Sequence, residues 1–199
     1  MLAQRLQQVA DILQAKDFQQ ALDALTEIES SGAESADFWQ LLALAHKGLG
    51  QLKDAEDSFL KSVQLLPQPH VLTNLANFYR QQRRHEEAET RYQQALELDS
   101  SHLPARVNYG QLLLEVKQLT ASAQQFAAAL EQEPEHLNAQ IGLAQASQQL
   151  GDQENALALF QQVLSIDNNN AAALNGLGIA LKTLGQGDEA VLKLQRAHQ

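Results

Sequence analysis

Six histidines, His46, His70, His85, His102, His136 and His198, are the first residues whose chemistry and spacing invite attention. His102 and His136 lie 34 residues apart at equivalent places in a repeating pattern and resemble a metal pair. Equivalent positions in neighbouring helical units stand at least about 8–10 Å apart. Two imidazoles on one zinc must each reach it at about 2.0–2.1 Å. The two histidines therefore read as polar residues at helix starts, and no metal site is expected. His85-Glu86-Glu87-Ala88 opens like a zinc-protease helix, but Glu89 stands where the second histidine belongs. Paired acids such as Glu86-Glu87 fall at a helix start, where the dipole explains them. None of the serines sits in a Gly-x-Ser-x-Gly elbow. Gly185-Gln186-Gly187 is not followed by the Gly-Lys-Ser/Thr of a phosphate loop. There is no cysteine, which removes disulfides, thiolate catalysis and sulfur-ligated metals. No catalytic residue and no cofactor is assigned.

The elements that would have to position any site are repeats. Pro69 to His102 holds two helical patterns joined by a turn near Arg83–Glu86, and a shift of 34 residues returns small and large residues to the same places. Fixed-period self-similarity of this kind marks stacked units. The copies span approximately 2–35, 36–68, 69–102, 103–136, 137–170 and 171–199, the last one cut short. Position 8 of each copy is small (Val9, Ala43, Ala76, Gly110, Ala144, Gly178), as is position 20 (Ala21, Ala55, Ala88, Ser122, Ala156, Ala190). Position 24 is bulky: Leu25, Phe59, Tyr92, Phe126, Phe160 and Leu194. Small residues let the two helices of a unit approach, and large ones fill the space between units. Gly50, Gly151 and Gly185 occupy position 15, suited to a helix C-cap. Pro67 and Pro134 follow second helices that they cannot continue. The expected fold is all-α.

Bulk composition narrows the function. Fourteen Lys and Arg against 24 Asp and Glu give a formal charge of −10, the wrong balance for a nucleic-acid binder. Arg80, Arg83, Arg84 and Arg91 make the third unit a basic island whose charges nearly cancel; Arg83, Arg84 and His85 read first as a solvated rim and second as a contact for an acidic partner. No run reaches the roughly 18 apolar residues of a membrane span, and Met1 to Arg5 lead into an amphipathic helix with no secretory pattern. A cytoplasmic location is expected, or a periplasmic one if a leader has been removed.

Trp39, Leu42, Ala43, Ala55, Phe59 and Pro67 match the tetratricopeptide repeat signature in spacing and type. So do Leu75, Ala76, Tyr79, Ala88, Tyr92 and Ala95, and then Tyr109, Gly110, Phe126, Ala129 and Pro134. The chain thus resembles a superhelical bacterial array of that family over essentially its whole length. His46 and Ser147 replace the family's usual Tyr, and Gln8 its Leu in the deviant first copy. The resemblance implies an α-solenoid, a right-handed superhelix of six helix-turn-helix units, whose first helices line a concave groove. It also implies which positions face that groove: His70, Asn74, Asn77 and Arg80 in the third unit, Asn108 and Gln111 in the fourth. The fifth gives Asn138, Gln145 and Gln148, and the sixth Asn175 and Lys182. Amides both donate and accept, so a row of them can pair with a peptide backbone whatever its side chains. Asn74 and Asn108 look like the start of an asparagine ladder that Gly142 and Gly176 interrupt. The carboxylate clamp of chaperone-binding members is not matched: Thr73, Asn138 and Gly142 replace its cations.

The expectation is therefore a non-catalytic scaffold that binds an extended peptide or partner segment in its groove. The alternative is the recruiting domain of a longer transferase, sulfotransferase or oxygenase with its catalytic part beyond residue 199. Leu6, Leu13, Leu41, Leu44, Val107 and Ile141 also map to groove positions and are expected to be covered by neighbouring helices; the alternative is an apolar floor for a ligand's hydrophobic side chains. Val191, Leu192 and Leu194 leave the last helix with an apolar outer face, so self-association through it is expected.

Overall fold

Repeated small-large alternation requires helices in close pairs, and the computed structural model, which describes residues 2–185, shows such pairs. Among the described residues all regular structure is helical, as expected. The order is α1 (Leu2–Gln14), α2 (Phe18–Glu27), α3 (Glu29–Gly32), α4 (Ala36–Gly48), α5 (Leu52–Leu65), α6 (Pro69–Gln81), α7 (His85–Leu98), α8 (Leu103–Glu115), α9 (Leu119–Gln132), α10 (Leu137–Leu150), α11 (Gln153–Ile166) and α12 (Ala171–Thr183). The chain divides into two compact units between Ser100 and Ser101. In the first, α4 packs on α5 and α6 on α7, with α5 against α6 and α1 against both α2 and α4. In the second, α10 touches α8, α9, α11 and α12.

Among the described residues the side chains that recur at position 24 are wholly buried, with Leu25, Phe59, Tyr92, Phe126 and Phe160 all at 0% exposure. So are their small counterparts Ala21, Ala55, Ala88, Ser122 and Ala156. Ala190, Leu194 and the apolar face of Val191 and Leu192 lie outside the described residues. Where Ser replaces Ala its hydroxyl finds a partner: Ser122 Oγ donates to the Gly110 carbonyl at 2.8 Å. A buried hydroxyl without one would cost about 1–3 kcal/mol. The first repeat departs from its neighbours, because its second helix breaks at Ile28 and resumes as the one-turn α3. Ser31 Oγ donates to the Ile28 carbonyl, a local alternative to continued helix. Phe38 lies so close to Gly32 that a Cβ there would stand 2.4 Å from its ring.

The turn between helices is more uniform than the glycines suggest. Gly50, Gly151 and Gly185 have positive φ, and so do Lys16, Arg83 and Lys117 at the same repeat position, with φ of 60–65°. Position 15 of all six copies is therefore left-handed, in three of them without glycine. A side chain in that region costs about 1–2 kcal/mol. Part of the cost is offset, since a cation at a helix C-terminus interacts well with the dipole. Lys117→Gly is expected to stabilise the second unit by up to about 1 kcal/mol, read as a higher thermal midpoint.

Candidate functional site

First helices carry the residues that the sequence marks as a groove, and the structure sorts them into engaged and unengaged side chains. In the first unit, α6 bears His70, Asn74, Asn77 and Arg80. Asn77 serves the repeat interior, its Oδ1 accepting from the buried Tyr92 hydroxyl at 2.5 Å. His70 Nε2 pairs with Gln40 Oε1 on α4 at 3.0 Å. Arg80 is also engaged within the chain. Asn74, half-buried, has no hydrogen-bond partner among the described residues. In the second unit, Gln148 Nε2 donates across to the Gly176 carbonyl of α12 at 3.1 Å, and Gln111 reaches Glu115 only at 3.5 Å. Asn108 and Gln145 are half-buried and Asn138, Asn175 and Lys182 exposed, none with a side-chain partner among the described residues.

The apolar groove positions do not share one fate. Leu6 and Val107 are buried, whereas Leu13, Leu41, Leu44 and Ile141 remain half-exposed. Leu13, Leu41 and Leu44 line an open cleft of 460 Å³ between α1 and α4, together with Phe18, Lys47 and Gly48. Gly48 makes room for the Phe18 ring at the cleft's end: a Cβ there would stand 2.2 Å from that ring. A second cleft of 370 Å³ adjoins along the same two helices, sharing Ala10 and Leu41 and bordered by Asp37 and Gln40. Of the two sequence expectations for these leucines, burial under neighbouring helices fails for Leu13, Leu41 and Leu44, which stay half-exposed along the cleft. The signal was available in Leu41 and Leu44 at groove positions with a glycine, not a large residue, closing α4.

The basic rim also differs from its sequence reading. Arg84 is not a solvated cation awaiting an acidic partner. Its Nη1 and Nη2 donate to both oxygens of Glu56 at 2.7 and 2.8 Å, its Nε donates to Glu87, and its Nη2 reaches Glu87 as well. The guanidinium carbon stands 4.3 Å from the Tyr79 ring centre, a cation–π contact, and Tyr79 Oη donates to Glu56 at 3.1 Å. This fork ties α5 to α6 and α7. Hydrogen bonding from Arg84 holds the Glu56 and Glu87 carboxyls below the ordinary range. A depressed carboxyl stabilises the fold above its unfolded value, near 4.3, and loses that contribution as pH falls through the folded value. The thermal midpoint of the first unit should drop between about pH 5 and pH 3, and Glu56→Gln should flatten that drop.

Comparison with known proteins fits this architecture. Models described as tetratricopeptide repeat match residues 11–68 and 71–103, and one described as TPR repeat matches residues 146–185. The chain belongs to the tetratricopeptide repeat family. Members of this family are protein-interaction scaffolds, and the stacked hairpins of this tetratricopeptide repeat protein have that construction. No curated protein matches it at a significant level. Among solved structures, pilF of Pseudomonas aeruginosa is similar at 21% identity and a TM-score of 0.85, over 96% of this chain and 87% of that one. A tetratricopeptide repeat protein of Parabacteroides merdae aligns at 17% identity and a TM-score of 0.82, covering 98% and 78%. YrrB, described as a TPR protein with an unusual peptide-binding site, aligns at 20% identity and 0.70, covering 85% and 88%. At these identities the likeness is one of fold. Among the described residues no helix is long and apolar enough to cross a membrane.

Proposed function

We propose that this chain is a non-catalytic adaptor that holds an extended segment of a partner protein along its first helices. One observation carries the reading: the first-helix faces keep an open apolar cleft and a set of unengaged amides that the repeat interior does not use. Leu13, Leu41 and Leu44 stay half-exposed although apolar, and Asn74, Asn108, Asn138, Gln145 and Asn175 keep their hydrogen-bonding capacity free. Such amides can satisfy a peptide backbone without reading its side chains. Stacked helices offer them already ordered, so little conformational entropy is lost on binding.

The remaining groove residues have supporting roles. Asn77 and His70 hold neighbouring side chains in place, and Gln148 links α10 to α12. Peptides selected from a displayed random library and titrated by fluorescence anisotropy test the proposal. Asn74→Ala in the first unit and Asn108→Ala or Gln145→Ala in the second should each weaken binding by roughly twofold to tenfold. Unchanged affinity in all three variants would remove the amides from the binding surface.

A further inference from the structure

The two adjoining clefts of the first unit form one groove along α1 and α4, and its charges are distributed unevenly. Lys47 is the charged side chain lining the larger cleft, and Asp37 the one lining the smaller. Everything between them on the α4 side is neutral, with Leu41 and Leu44 as the apolar floor and Gln40 at one edge. Lys47 is half-buried, and among the described residues no carboxylate lies within ion-pair distance of it. Burial of its ammonium pushes its pKa down. A cation in that position gains from an incoming carboxylate more than a fully hydrated one would. Asp37 is exposed and likewise without an ion-pair partner among the described residues.

Ten residues of α4 separate the two charges, about 15 Å at the helical rise. An extended chain covers that distance in about five residues. The larger cleft falls within the roughly 300–1,000 Å³ of ordinary ligand sites. Phe18, packed on Gly48, lines one end of the groove, and His70 fixes Gln40 at the other.

We propose that the groove between α1 and α4 binds a short extended segment of a protein partner, apolar along its middle, with a carboxylate seated over Lys47 and a cationic group over Asp37. This rests on the adaptor reading and adds the chemistry of the segment recognised. Within the first unit Asn74 contributes backbone pairing, and the groove selects by side chain.

The test uses the whole chain and N-acetylated, C-amidated pentapeptides, so that side chains alone carry charge. The probe is Lys-Leu-Phe-Leu-Glu, compared with Lys-Leu-Phe-Leu-Lys and Gln-Leu-Phe-Leu-Gln by fluorescence anisotropy at low and physiological salt. The first peptide should bind at least about tenfold more tightly than the second, with the neutral one between them. In Lys47→Glu the order of the first two should invert, and Gly48→Leu should abolish binding of all three while helix content by circular dichroism is kept. Equal affinity for the three peptides, or an unaltered order in Lys47→Glu, overturns the assignment. Library-selected peptides that lose affinity in Asn74→Ala but not in Lys47→Glu would overturn it while leaving the adaptor reading in place. A wild-type chain that retains no library peptide would overturn both.

Discussion

Phe126→Ala is expected to destabilise the second unit by about 3–5 kcal/mol, the range for an aromatic removed from a closed core. The ring is completely buried on α9 and lies between two other helices. On one side it faces Gly110 of α8, where a Cβ would stand 3.0 Å from Cε1. On the other it faces Gly142 of α10, where a Cβ would stand 2.2 Å from Cζ. Val107, Ala129 and Ala139 are the other buried members of its cluster, with Leu103, Leu130 and Leu143 packed partly buried against it. Chemical denaturation of the whole chain, followed by circular dichroism, should show an early transition attributable to residues beyond Ser100. Phe126→Leu should cost much less, since it keeps most of the buried volume. A Phe126→Ala chain that melts like wild type would mean that the ring is not the contact between successive repeats.

Gly142→Asn is the second large effect, and it bears directly on the amide row. Adding Asn there would appear to extend the run that Asn74 and Asn108 begin. The structure predicts damage instead, because the Phe126 ring already occupies the space of that side chain. Overpacking of this kind costs about 1–3 kcal/mol and sometimes more. Gly176 is confined in the same way by Phe160, with a Cβ there 2.2 Å from Cζ. A double variant, Gly142→Asn with Phe126→Leu, should recover part of the loss, since the two positions share one volume and their effects cannot add. Thermal midpoints of the two single variants and the double variant check this. Additive losses would show that ring and glycine are not competing.

Fold and site were legible to different depths, for a physical reason. Helix and class followed from the sequence because packing between stacked hairpins is local: residues 12 or 34 apart must be small or large together, and Ala21, Leu25, Ala55 and Phe59 show it in type alone. Binding was legible only as a set of positions. Nothing in their identities says that Asn77 is held by Tyr92 while Asn74 is not, since both are asparagines on one face of α6. Nor do they say that Arg84 is consumed by Glu56 from another helix. The same holds for the interrupted amide row: Gly142 and Gly176 read as missing partners, and only the rings of Phe126 and Phe160 explain why a side chain has no room. The cleft between α1 and α4 is an extreme case. Leu13, Leu41 and Leu44 have the composition of a core, and whether a leucine is floor or filling depends on how far the next helix stands from it. Sequence periodicity fixes which side of a helix a residue occupies; the distance across to the neighbouring helix, and hence what is left open, is decided by the sum of side-chain volumes in three dimensions.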